Sequence, residues 1–222
     1  MSSNKPNIGV LMMHIHSAVT RGLQVTSEKS EGYIMNGYPD AAAQDGFITY
    51  ARALGWVINA HHQSEDNVVF PYLKTKLPNA PFDKLSADHK KMDVFLEELH
   101  EALNMMAVQP QGGEPLKMLN IAVTSIAEIW TPHIGIEVKN LYKASITDAV
   151  MNADEQLNLM KDAAGFSMKV EDPGMLLPFI LYNLKTDDRA YMEHTIPPFF
   201  LQELLPVVWK GKWEPMKPFL LD

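Results

Sequence analysis

The chain is predicted to be all-α, an up-down-up-down four-helix bundle with additional C-terminal helices. Three observations carry this. Four long stretches repeat apolar residues at helical spacing, and Pro- and Gly-containing breaks separate them. The second and fourth stretches carry the same short motif, His61-x-x-x-Glu65 and His133-x-x-x-Glu137. Long helices with mostly short connections pack as antiparallel neighbours.

The first helix is expected over about 7–26, its apolar stripe formed by Ile8, Leu11, Met12, Ile15, Val19 and Leu23. A polar connector with Gly32, Gly37 and Pro39 is expected over 27–45. The second helix should run over about 45–73, ending at the break Lys76-Leu-Pro-Asn-Ala-Pro81. Asp83 or Ser86 can cap a third helix at about 82–106. Gln109-Pro-Gln-Gly-Gly-Glu-Pro115 reads as a loop, and the fourth helix should continue from there to about 147. Pro132 lies within it, directly before His133. A proline removes one helical hydrogen bond, so a kink that re-aims the second motif is expected, with a full break as the alternative. Beyond Asp148 short helices are expected at 154–164 and 175–184. The tail, rich in Pro, Trp and Phe (Ile196-Pro-Pro-Phe-Phe200, Trp209, Trp213), is apolar enough to pack on the bundle as a cap. The expected organisation is thus a bundle over 1–147 and a packed extension over 148–222.

The net charge of −8, with no basic run, argues against nucleic acid and against anionic membrane surfaces. The absence of cysteine excludes disulfides, iron–sulfur clusters and thiolate chemistry, so any metal must be held by nitrogen and oxygen. No apolar run is long enough to span a bilayer, and the N-terminal segment does not read as a signal peptide. A cytoplasmic protein is the expectation.

In each motif the imidazole and carboxylate lie about 40° apart on one helix face, a turn separated. The match extends beyond them, because Val69-Phe70 and Leu141-Tyr142 follow Glu65 and Glu137 at the same offsets. Two helices presenting the same His/Glu pair inward are how a bundle builds a dinuclear site, since imidazole ligates and carboxylates bridge. One such motif is weak evidence. Two, with histidines on both remaining helices, are strong.

These residues resemble the hemerythrin-like, His-His-Glu cation-binding family. The order is a first-helix histidine, His-x-x-x-Glu, a third-helix histidine and a second His-x-x-x-carboxylate; His61-His62-Gln-Ser-Glu65-Asp66 and the following Phe70-Pro71 are close to the central motif. The resemblance spans roughly 8–147 and implies a non-haem di-iron centre, two Fe ions, although Zn or Mn suits the same donors. It assigns His61, Glu65, His133 and Glu137, with His89 as the third-helix ligand. On the first helix His14 and His16 point about 200° apart, and the spacing after His16 matches better. By resemblance His16 and His61 hold one metal, His89 and His133 the other, and Glu65 and Glu137 bridge.

Oxygen-carrying members present two third-helix histidines four apart. Here Asp93 follows His89 at that offset and Leu85 precedes it, so one metal gains water, an open position or Asp93. Of the remaining histidines, His62 reads as a neighbour of the site or a surface residue. His100, roughly 16 Å along the helix from His89, reads as a satisfied helix histidine, and His194 has no role. Tyr50, Met92 and Thr20 are candidates for contacts around the site or plain core. The function expected is binding of O2 or a related small ligand; the alternative is an O2-activating oxidase or oxygenase whose small organic substrate sits between the 27–45 connector and the apolar tail. Ferritin-type sites use Glu-x-x-His, and that spacing is not the one repeated here.

Overall fold

A computed structural model of the chain describes residues 5–108 and 113–221. No strand occurs among them, and no helix is long and apolar enough to cross a membrane. Four long helical rods form the bundle. The first is α1 (Ile8–Asn36). The second joins α2 (Ala41–Ser64), a π-helical turn (Glu65–Val69) and α3 (Phe70–Lys76). The third is α4 (Phe82–Val108), and the fourth joins α5 (Gly113–Glu137) to a π-helical turn (Val138–Tyr142). Each rod packs on its two sequence neighbours and the first packs on the fourth, the square of an up-down-up-down bundle.

The main departure from expectation is the first connector. Helix α1 continues ten residues past Thr26, and α2 begins at Ala41, capped by the Asp40 side chain on the Ala43 amide at 2.8 Å. The reason is tertiary. Thr26 and Ser30 are fully buried, and the Asn120 amide donates to the Ser30 hydroxyl at 2.7 Å, which holds a polar stretch as helix. Gly37, at φ 73°, ends it, its amide bonded to the Tyr33 carbonyl.

Smaller corrections follow. Ser86 does not cap α4; it lies within the helix and donates to Asp66 at 2.5 Å, while Asp83 pairs with Lys74 at the surface. Gly113 to Pro115 belong to α5, and residues 109–112 of the expected loop lie outside the described residues. Helix α5 runs through Pro132 without a break. The fourth rod ends at Lys143, whose extended backbone separates it from α6 (Ala144–Val150).

The C-terminal helices are more numerous than expected, and the first of them is longer: α7 (Ala153–Val170), α8 (Pro173–Tyr182), α9 (Thr186–Thr195), a π-helical segment (Phe200–Val208), α10 (Lys210–Trp213) and a closing 3-10 helix (Glu214–Phe219). Asn152 and Glu155 form a reciprocal capping box on α7. Helices α7, α8 and the 3-10 helix cover the α1–α2 face, and Phe179, Met216 and Phe219 enter the bundle's main core. Arg21 fastens this layer by donating to Tyr50 Oη, the Asn183 side chain and the Phe219 carbonyl.

Two apolar clusters fill the bundle interior, besides a third where Ala18 meets the C-terminal helices. One includes Val19, Ile58, Met92 and Trp130; the other includes Met12, Val69, Leu85 and Tyr142. Along every rod the histidine falls between them: Met12–His16–Val19, Ile58–His61–Val69, Leu85–His89–Met92 and Trp130–His133–Leu141. The bundle therefore holds a polar layer between two dry ones.

Candidate metal centre

The register of that layer places His16 of α1, His61 and Glu65 of the second rod, His89 of α4, and His133 and Glu137 of α5 together, each no more than 4% exposed. Their donor atoms form two groups, His16/His61/Glu65/Glu137 and Glu65/His89/His133/Glu137, in each of which all ligand atoms lie within 4.8 Å of one another. Both carboxylates belong to both groups. Glu137 reaches them with separate oxygens, Oε2 at 3.2 Å from His16 Nε2 and Oε1 at 3.3 Å from His133 Nε2. Glu65 uses one oxygen, with Oε2 at 3.4 Å from both His61 Nε2 and His89 Nε2. Its other oxygen accepts a 2.6 Å hydrogen bond from Tyr142 Oη.

The π-helical turns follow from this. Each begins at or just after a motif glutamate, and the extra residue per turn advances the next side chains around the axis. In the fourth rod this lets Tyr142, five residues after Glu137, reach Glu65 on the facing rod. The corresponding residue of the second rod, Phe70, lies parallel to the His89 ring with centroids 5.6 Å apart.

The donor set passes a simple test of fit. Both nitrogens of His16 and His61, both oxygens of Glu137 and Glu65 Oε2 are buried without a hydrogen-bond partner, although the nearest opposing atoms are close. An unsatisfied buried polar atom costs roughly 1–3 kcal/mol, and so many converging on one layer call for a partner the protein chain does not itself supply. A divalent cation is such a partner. The protonation states agree with it. Burial, opposed by Glu65 and assisted by the other histidines, lowers His61 to about 3, so it is a neutral donor. Burial raises Glu137, but the close approach of the His133 and His16 imidazoles outweighs this and holds it at about 2, as a carboxylate. His89 behaves differently: burial lowers it, yet bonds to Asp66 and Glu65 raise it to about 10.

All six sequence-predicted ligand candidates are thus brought together. His14 points elsewhere, 3.7 Å from Asp188 and against Tyr191. Asp93 is outside both groups, with its side chain 42% exposed and 3.9 Å from His62 Nδ1. His62 is not a surface residue. It is 1% exposed, both ring nitrogens lack partners, and its ring stacks on His89 with centroids 4.1 Å apart and 16° between planes. A nitrogen of His62 also lies within 4.8 Å of ligand atoms of His89 and His133. Near-parallel stacked rings cannot both point a lone pair at one ion, so in this arrangement His62 braces His89. His100 is not satisfied as expected, since its buried Nε2 has no partner where it packs over Gly55. His194 is exposed. Tyr50 serves the Arg21–Asn183 network, Met92 is core, and Thr20 accepts from Trp130 Nε1 at 3.0 Å, steadying the indole that borders His16 and His61.

Four contributors escaped the sequence reading. Asp66 Oδ2 lies 3.0 Å from His89 Nδ1, Asp88 Oδ2 lies 4.0 Å from His133 Nδ1, Tyr142 holds Glu65, and Trp130 walls the layer. The available signal was adjacency: an aspartate directly follows Glu65 and another directly precedes His89. On a helix such neighbours look like solvated charges.

No individual curated protein and no solved structure matches the chain. Residues 10–144 match the family model of the hemerythrin HHE cation-binding domain, a span that contains every rod of the bundle except its ends and all six converging side chains. With more than half of its length in that match and a buried His/Glu cluster able to hold metal, the chain belongs to the hemerythrin HHE cation-binding family.

Proposed function

We propose that the protein is a non-haem di-iron protein that binds O2 or a related small ligand inside its bundle. The observation that carries this reading is the pair of four-residue donor groups sharing both carboxylates. His16 and His61 would hold one ion, His89 and His133 the other, with Glu65 and Glu137 common to both. Ferrous ions held by these four imidazoles and two carboxylates would supply the electrons and the exchangeable position that a diatomic ligand needs. Iron is proposed on family grounds; Zn or Mn suits the same donors.

The chain's own residues do the rest. Tyr142 fixes the orientation of Glu65, Asp66 fixes the tautomer of His89, and Trp130 with the two apolar clusters excludes bulk water. Burial also bears on the choice between binder and enzyme. The six donors are buried, each no more than 4% exposed, and the open surface grooves beside Glu97, His100 and Asn104 and beside Lys76, Pro78 and Asn140 are lined by none of them. The connector expected to shape a substrate pocket is helix, and the tail packs near Phe47 and Tyr50, away from the cluster. This favours a ligand the size of O2 or NO over an organic substrate.

Anaerobic loading with ferrous iron, a metal count, and the visible spectrum as O2 is admitted and withdrawn test the proposal. Two irons per chain and an absorption band that appears with O2 and disappears on its removal are expected. One metal or none would overturn the dinuclear reading. Irreversible oxidation coupled to loss of an added organic reductant would replace the binder with the oxidase.

A further inference from the structure

We propose that the two metal positions differ in affinity: the His89/His133 position fills first, and Asp66 is the positioning residue that makes it the tighter one. The inference rests on the dinuclear reading above and concerns what surrounds each pair of imidazoles.

At the His89/His133 position one outer ring nitrogen, His89 Nδ1, is hydrogen-bonded to a carboxylate, whereas His133 Nδ1 is buried without a hydrogen-bond partner. Asp66 Oδ2 accepts a hydrogen bond from His89 Nδ1 at 3.0 Å, and its Oδ1 accepts from Ser86 at 2.5 Å, so the carboxylate is held at both ends. With Nδ1 committed as a donor, Nε2 is left to offer its lone pair toward Glu65 and His133. The ring is further restrained by parallel contacts with His62 and Phe70. Asp88 stands 4.0 Å from His133 Nδ1, but Lys84 and Lys91 bind it at 2.8 Å each and offset its charge. Asp66 is therefore the stronger influence.

The His16/His61 position has no such backing. The Nδ1 atoms of both rings are buried and unpartnered, and Trp130 contacts the two rings edge-on, with centroids 5.5 and 5.8 Å away. Among the described residues none hydrogen-bonds these nitrogens to select the tautomer or add basicity. A carboxylate on the outer nitrogen of a metal-bound histidine is worth about 10–100-fold in affinity, which is the difference expected between the positions.

The test is an anaerobic titration of the metal-free full-length chain with Co(II), followed by its visible bands and by calorimetry. Wild type is expected to bind two ions in two steps, at least about tenfold apart. Asp66→Asn weakens the first step about 10–100-fold and spares the second. His16→Gln abolishes the weak step and keeps the tight one, whereas His133→Gln does the reverse. Far-UV circular dichroism checks folding. If Asp66→Asn does not fold, Ser86→Ala, which frees one end of Asp66 but keeps its charge, should weaken the same step several-fold. An unchanged first step in these aspartate and serine variants, or loss of the tight step in His16→Gln, would overturn the order while leaving a dinuclear centre in place. Failure of wild type to bind two ions would instead sink the dinuclear reading, and the order with it.

Discussion

At the residue scale the centre is a problem of unsatisfied atoms. Glu137 is the sharpest case, fully buried with both oxygens lacking hydrogen-bond partners and one facing each imidazole pair. Glu137→Gln replaces one shared oxygen by an NH2 group that cannot ligate; bound metal is expected to fall below two ions per chain with helicity kept, as elemental analysis would show. His100 makes a prediction independent of the metal. Burial, assisted by the Arg52 charge, lowers it below its ordinary 6.5, so the unfolded chain takes up the proton first. The stability this contributes is complete above about 6.5 and is lost as pH falls from there through the folded-state value. Between about pH 7.5 and about pH 5.5, His100→Gln should therefore lose less melting temperature than wild type. Parallel pH slopes would refute this.

At the element scale the π-helical turns and the close approach of α1 decide where the glutamates and Tyr142 point. A Cβ on Gly9 would lie 2.3 Å from the Tyr142 carbonyl oxygen, so only glycine lets α1 rest against the second π turn. Gly9→Ala should destabilise by about 1–3 kcal/mol through overpacking, despite its better helix propensity. Gly32→Ala, also in α1 but with nothing within 4 Å of its Cβ, should stabilise by about 0.5–1 kcal/mol. Urea denaturation of the pair measures both, and equal effects would contradict the close-packing argument. The long α1 was hard to foresee for a related reason. Its apolar stripe stops at Leu23 and Val25, and the last turns are held by Asn120 of the fourth rod, a contact no local window contains.

At the scale of the whole molecule, the C-terminal helices and the bundle share one apolar core. Phe219 packs near Phe47 and Tyr50 with ring centroids 5.9 and 5.6 Å away, and its carbonyl accepts from Arg21. Phe219→Ala is expected to cost about 3–5 kcal/mol while the folded fraction keeps its full metal content, because the polar layer lies farther along the rods. Loss of metal with stability unchanged would reverse the assignment of that tail to the core. Chelation of the metal-loaded protein should instead remove the metal and lower the melting temperature by taking away the partner of the buried histidines and carboxylates.

The sequence alone determined the all-α class, the four rods and the pairs His61/Glu65 and His133/Glu137, because helical periodicity and a four-residue His/Glu spacing are local properties written along one stretch of chain, whereas His16 and His89 were singled out by resemblance to the family. It did not determine which charged neighbours matter. Asp66 and Asp88 resemble any solvated helix aspartate until α4 is packed between the second and fourth rods, and Tyr142 reaches Glu65 only because a π turn rotates it across the bundle. The length of α1, the collapse of the first connector and the burial of His62 were likewise decided by tertiary structure. Each depends on a partner on another helix, and a partner distant in sequence leaves no periodic trace.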